Sequence, residues 1–184
     1  MASLTQTWAE PLVIPTADEG QELWYAVQTR ARHEKLVAHR FRERGIPSFL
    51  PLVTEIHRWS DRKKIVELPL FSCYVFAKIE PTNVDRLRVL KVDGVLSLVG
   101  TRGEGTPIPQ EQIESVRILV KEKMSCSSHP FLKIGQRVRV RSGALDGMEG
   151  ILVSRNGDRT LVVSIDAIQR SLAVRLEGYA LEAA

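Results

Sequence analysis

Apolar residues change their spacing several times along the chain, and each change marks an element. Leu23 to Thr29, LWYAVQT, is aromatic and branched and predicts a strand. From Arg30 to Arg44, Leu36, Val37 and Phe41 recur on one side at helical spacing. The other side is basic, and Gly45 stands where a C-terminal cap belongs. Ile46 to Ile56 reads as extended, with Pro47 and Pro51 favouring an edge or a turn. Leu68 to Ile79, LPLFSCYVFAKI, is apolar on both of its period-2 faces, which predicts a strand covered on both sides. Phe71, just after Pro69 at the mouth of that run, is the first candidate for an exposed contact. Between the two extended runs lies HRWSDRKK, residues 57 to 64, read as the tip of a long hairpin whose return arm is the Leu68–Ile79 strand.

The pattern then turns helical over Pro81 to Gly94. Thr82 and Asp85 form a capping box, and Val84, Leu87 and Leu90 are expected to face inward. Val95 to Val99 predicts a short strand, Gly100 to Pro109 a loop, and Gln110 to Lys123 a helix with Ile113, Val116, Leu119 and Val120 on one face. Met124 to Pro130, MSCSSHP, has no period and reads as a linker. Beyond it come only short strands: Gln136–Arg141, Gly150–Ser154, Thr160–Ile165 and Ser171–Leu176, with a hairpin signal at Asn156-Gly157. Such strands suit a small closed barrel. The fold class expected is therefore α+β: an antiparallel sheet flanked by helices, followed by the barrel. The chain divides into an arm at residues 1–20, a first domain at 21–123, a linker at 124–130 and a second domain at 131–184.

Composition narrows the function. The 184 residues are 43% hydrophobic and 26% charged, the profile of one or two folded domains. No apolar run approaches the ~20 residues of a membrane span. The N-terminus does not open on a secretory pattern. Cys73 and Cys126 lie far apart, offering neither a disulfide framework nor a metal pair, so a cytoplasmic setting is expected. Net charge is only +4, but basic residues gather between Arg30 and Lys64: Arg30, Arg32, Lys35, Arg40, Arg42, Arg44, Arg58, Arg62, Lys63 and Lys64. A field of this kind suits phosphate backbones, and Trp59 at the hairpin tip can stack on a base. His33, His39, His57 and His129 share no metal spacing, and GTRGEG at Gly100–Gly105 lacks the Lys-Ser/Thr ending of a phosphate-binding loop. No enzyme and no cofactor is expected.

These residues resemble a known family. IGQRVRVRSGALDGMEGILV resembles the KOW motif. LWYAVQT, the basic helix, PLFSCYVF and DGVLSLVG look like the domain that precedes KOW in the NusG family. The resemblance runs in order from about Leu23 to Glu182 and implies an SH3-like barrel for the second domain. It further implies a transcription elongation factor. The first domain would rest on the clamp helices of RNA polymerase, suppress pausing and make elongation processive, with the non-template DNA strand as a further contact. The KOW barrel would recruit a small-subunit ribosomal protein or the termination factor Rho. LVVSIDAIQRSLAVRLE and RWSDRKKIVELPLF look more like specialised paralogues of the UpxY, LoaP and RfaH type, which act as antiterminators on particular operons. A monomer is expected.

Position by position, Phe71 matches the apolar clamp contact, with Tyr25, Phe76, Leu98 and Val99 on strands lining that pocket. Arg30 matches a basic position that meets non-template DNA, with Arg32 and His33 beside it. Arg58, Trp59, Arg62, Lys63 and Lys64 form the basic tip. Gly143, Leu145, Gly147, Gly150 and Ile151 carry the KOW turn, where Leu145 meets partners. The chain departs from the family pattern in three places. Ser72-Cys73 replaces a Pro-Gly, Ala144 replaces a Pro, and Asp85 and Arg86 stand where a second polymerase contact has a His/Thr cluster. The rival reading is a KOW-containing RNA- or ribosome-binding protein.

Overall fold

The structure is a computed structural model that describes residues 20–58, 63–122, 127–129, 136–141, 143–155, 158–176 and 181–183. Its first part runs β1 (Leu23–Thr29), α1 (Glu34–Glu43), β2 (Ser48–Phe49), β3 (Leu52–Arg58), β4 (Lys63–Pro69), β5 (Tyr74–Ile79), α2 (Asn83–Leu90), β6 (Val95–Leu98), β7 (Pro107–Ile108) and α3 (Gln110–Lys121). Strand β1 is the centre of an antiparallel sheet ordered β2-β5-β1-β6, with β7 also paired to β1. Strands β3 and β4 form a separate hairpin, in register from Leu52 opposite Pro69 to Arg58 opposite Lys63.

The sheet is covered on both faces, as the apolar character of β1 and β5 requires. Tyr25, Val27, Val75, Ala77 and Leu98 pack with Val37 and Phe41 of α1 and with Val89 and Val92. On the opposite face, Trp24, Ala26 and Phe76 pack with Ile113, Val116 and Leu119 of α3. Each fully buried side chain of this size contributes roughly 1.5–3 kcal/mol.

Five sequence expectations change here. The run Leu68–Ile79 is not one strand. The hairpin's return arm ends at Pro69, and β5 begins at Tyr74. The bend between them places Cys73 at φ 68°, a left-handed conformation. Glycine adopts this region without a Cβ penalty, so Cys73 performs a glycine's turn with a side chain attached. Phe71, expected to be exposed, is only 5% exposed. In α2 the phase differs: Val84 and Leu87 are 76% and 52% exposed, while Val89 is buried. The Thr82 hydroxyl accepts from the Asp85 N–H at 3.2 Å, but the Asp85 carboxylate turns back to the Glu80 N–H at 3.4 Å instead of closing the box on Thr82. In α1, Leu36 is 42% exposed and Glu34 takes the buried place beside Val37 and Phe41.

The second part runs β8 (Ser127–His129), β9 (Gln136–Val140), β10 (Glu149–Arg155), β11 (Asp158–Ile165), β12 (Arg170–Arg175) and β13 (Leu181–Ala183). These make one antiparallel sheet ordered β13-β9-β10-β11-β12-β8. Asn156-Gly157 lies outside the described residues, bracketed by the pair Arg155 and Asp158. Strand β8 falls within the segment read as a linker and pairs with β12, His129 opposite Ser171.

The two parts share a core. The cluster containing Trp24, Phe71, Phe76 and the buried face of α3 continues without a break into Val138, Leu145, Met148, Leu161 and Leu172. The strained turn gives a direct test of the local fold. Cys73→Gly trades the cost of a left-handed side chain for added freedom in the unfolded chain, each about 1 kcal/mol, so its stability stays within about 1 kcal/mol of wild type. Cys73→Val, β-branched at the same φ, loses about 2 kcal/mol more. Urea denaturation of both variants measures the difference.

Candidate functional site

A groove of about 1300 Å³ opens where the base of the hairpin, the start of α1, the end of α3 and β12 meet. Leu52, Leu68, Leu70, Phe71, Leu119, Val120 and Leu172 give it apolar walls, and Arg32, Glu34, Lys35, Glu67 and Arg170 add charge. Lys35 Nζ lies 3.8 Å from Glu67, tying α1 to the hairpin across it.

Two features fix the turn that carries Phe71. The carboxylate of the buried Glu34 accepts from the Cys73 N–H at 2.7 Å, joining the first turn of α1 to the bend. A charge-assisted bond of this kind is among the stronger ones. The Phe71 ring also meets Phe76 edge-on, with centroids 5.9 Å apart, and Phe76 stacks on Phe49 at 6.2 Å. The Arg117 guanidinium sits 5.1 Å from the centre of Trp24 and 5.2 Å from that of Phe49. Glu114 holds Arg117 at 3.0 Å, and Gln110 links Glu114 (2.6 Å) to the Trp24 indole N–H (2.7 Å). This row of rings and polar links locks α3 on the sheet.

The five residues expected to line one apolar pocket do not share a face. Ala26 stands opposite Phe76 and Val27 opposite Leu98, so Tyr25 and Leu98 point to the α1 side. Phe71, Phe76 and Val99 belong to the α3 side. Of the five, only Phe71 lines the groove. Burial pushes the Tyr25 phenol above its ordinary value, and the Arg86 guanidinium bonded to it offsets part of that rise.

The basic field also divides. Arg40 donates to the Asp93 carboxylate at 2.6 Å and to the Asp93 carbonyl at 2.7 Å. Arg44 donates to the Lys91 carbonyl at 3.3 Å, and Arg88 donates to the Arg44 carbonyl. These arginines cap the C-termini of α1 and α2. Arg30 lies 3.8 Å from Asp93 and is 60% exposed. Arg32 sits at φ 64° and lines the groove, and the His33 ring bonds the Ala31 carbonyl at 3.0 Å. Arg30, Arg32 and His33 therefore form one turn beside the groove. Trp59 and Arg62 lie outside the described residues, as do the side chains of Arg58, Lys63 and Lys64 at the ends of β3 and β4.

In the barrel, Gly143 and Gly147 adopt φ 70° and 81°, which a turn back on Val140 needs: the Gly147 N–H donates to the Val140 carbonyl at 2.9 Å. A Cβ on Gly150 would stand 2.6 Å from the Val162 carbonyl, so that strand crossing needs glycine. Ile151 is half-buried between Val162 and Arg137. Leu145, expected to meet partners, is fully buried. Among the described residues no cluster of His, Cys, Asp or Glu could hold a metal ion, and no helix is long and apolar enough to cross a membrane.

Glu34, Phe49, Arg117 and Trp24 shape this site and were not read from sequence as part of it. Their partners are far away along the chain, 39 residues for Glu34 and Cys73, and only the acid in the first helical turn was a local signal.

The chain thus combines a sheet-and-helix unit and a small barrel that share a core, with an apolar groove beside a basic turn. The chain belongs to the NusG family: the family model described as transcription termination factor NusG matches residues 22–117. Members of this family are transcription termination and antitermination factors, not enzymes. The chain is 28% identical to the transcription termination/antitermination protein NusG of Borreliella burgdorferi, over 84% of this chain and 94% of that protein. It is 26% identical to that of Lactococcus lactis, over 86% and 91%. A solved structure of Thermotoga maritima NusG aligns with 87% of this chain and 96% of its own, at 20% identity and a TM-score of 0.48.

Asp93 sets an acid limit on the helix caps. The bond from Arg40, and then its charge, hold the Asp93 carboxyl below the ordinary 3.8, with Arg30 adding a smaller pull. A lowered folded-state value means stability present above the ordinary carboxylate range and lost as pH falls through the lowered one. Urea midpoints taken from pH 6 to pH 2 are expected to fall less steeply at the acid end for Asp93→Asn than for wild type.

Proposed function

We propose that this chain is a transcription elongation factor that binds the clamp helices of RNA polymerase with Phe71 and its groove, suppresses pausing and promotes antitermination. The observation that carries the reading is the groove with Phe71 in its wall, in a chain of the NusG family. An apolar groove with charge along it suits the tip of a helical hairpin, the helix-in-groove mode of recognition. Residues 21–123 serve as the polymerase-binding unit and 131–184 as the KOW unit that recruits a small-subunit ribosomal protein or Rho, joined at 124–130. Arg30, Arg32 and His33 face the non-template DNA strand, and Arg58, Trp59, Arg62, Lys63 and Lys64 extend that basic track along the hairpin. The UpxY-like segments favour an operon-specialised paralogue working in the cytoplasm as a monomer. Tyr25 and Leu98 act in this scheme as core beneath the contact surface.

The full chain is expected to be captured by purified bacterial RNA polymerase. Phe71→Ala should weaken capture by about 2 kcal/mol or more, near thirtyfold, while circular dichroism shows it still folded. No capture, with salt-sensitive binding to free RNA instead, would overturn this reading in favour of an RNA- or ribosome-binding protein.

A further inference from the structure

Helix α2 turns an apolar stripe to solvent. Val84, Leu87 and Leu90 are 76%, 52% and 38% exposed, and their spacing of three makes them neighbours on the helix surface. Cations border the stripe. Arg88 and Lys91 follow Val84 and Leu87 four residues on, so they share this side of the helix, and both are exposed. Arg44 joins them from the end of α1: it donates to the Lys91 carbonyl at 3.3 Å, and Arg88 donates to the Arg44 carbonyl. Arg88 also lies 3.7 Å from Asp85. Arg44 meets a carbonyl and not a carboxylate, so its charge is not neutralised there. None of these residues lines the groove around Phe71.

The segment ahead of the sheet complements this face in both apolar character and charge. Residues 1–19, outside the described residues, contain no Lys or Arg and carry Glu10, Asp18 and Glu19. They also carry the apolar run Leu12-Val13-Ile14 between Pro11 and Pro15. Each proline fixes one φ, so less freedom is lost when the run is ordered on a surface. Connectivity brings the two together. Strand β1 begins at Leu23, opposite Ile79, and the next residue, Glu80, donates its N–H to the Asp85 carboxylate at 3.4 Å. The segment therefore joins the sheet beside the first turn of α2. Extended, Pro15 to Glu22 reach about 26 Å, roughly twice the ~12 Å length of an eight-residue helix. Such a tether gives an effective concentration on the order of millimolar, so a small contact suffices. We propose that Leu12–Ile14 lies along Val84, Leu87 and Leu90, with the acids of the segment against Arg44, Arg88 and Lys91. In this arrangement residues 1–19 cover α2, and its outer face becomes available to another chain only when they leave it. The proposal is independent of the polymerase reading.

The test is hydrogen exchange followed by mass spectrometry on the full chain and three variants. In wild type the peptide covering residues 8–14 is expected to exchange roughly fivefold or more slowly than in Val84→Ser/Leu87→Ser, which changes only exposed side chains. Lys91→Glu, with the apolar stripe intact, should speed the same peptide several-fold. Reciprocally, Val13→Ser/Ile14→Ser should speed exchange over residues 83–91 and leave the peptides of β1 and β5 at wild-type rates, which a damaged fold would not do. A peptide 8–14 that exchanges in wild type as fast as in the α2 variant would overturn the proposal, and so would protection there that both α2 variants leave untouched. Protection over residues 83–91 that rises with protein concentration, with a dimer in sedimentation, would overturn it in favour of a second copy on α2. An unchanged rate for residues 8–14 in Lys91→Glu would overturn the role of charge.

Discussion

The interaction on which the rest depends is the seating of α3. Its apolar side closes the lower face of the sheet through Ile113, Val116 and Leu119. Its polar positions do not all face water. Arg117 lies over Trp24 and Phe49, and Ser115 and Gln112 bond the barrel. Without α3, Phe76 and Trp24 would be open apolar surface and the ring that orders Phe71 would lose its support. The barrel would also lose the partner that buries Leu145 and Met148. One helix of 12 residues thus completes the core that the two units share. That arrangement lets a change in one unit be felt by the other, because packed interiors shift as units and not by gradual deformation.

Much of this was legible in the chain. The aromatic and branched run Leu23–Thr29 gave β1, the turn formers between two extended runs gave a hairpin though not the bounds of its return arm, the helical stripes gave α1 and α3, and Gly45 marked the end of a helix at φ 63°. The readings that failed share a cause: each depended on register or on a distant neighbour. Tyr25 and Phe76 both look like pocket-lining aromatics, but Ala26, not Tyr25, stands opposite Phe76, and that pairing puts them on opposite faces. Val84, Leu87 and Leu90 form a plausible stripe, yet the helix is short and buries Val89 instead. A stripe of three residues over fewer than three turns does not say which side meets the sheet. Phe71 reads as exposed because its local neighbours include proline and serine; what buries it arrives with α3, some 40 residues later.

The same reasoning separates structural from available charge. A count of basic residues between Arg30 and Lys64 treats every arginine alike. In the fold, Arg40 and Arg44 are engaged with Asp93 and with the carbonyls that end α2, while Arg88 serves the end of α1. Among the described residues, the turn from Arg30 to His33 stands beside the groove with Lys35 and Arg170, and Arg32 turns the chain there in a left-handed conformation.

The bend at Cys73 then takes on more than local meaning. In a left-handed conformation that glycine adopts most readily, a side chain is held by the bond from its own N–H to Glu34. Strain at one residue persists only where the surroundings over-determine it. Here the surroundings are α1 on one side and the Phe71–Phe76 ring contact on the other. The bend cannot relax without moving either the helix that carries the basic turn or the ring that walls the groove. The two surfaces proposed to meet polymerase and DNA are therefore mechanically one piece, set by a hydrogen bond between a helix start and a turn 39 residues apart.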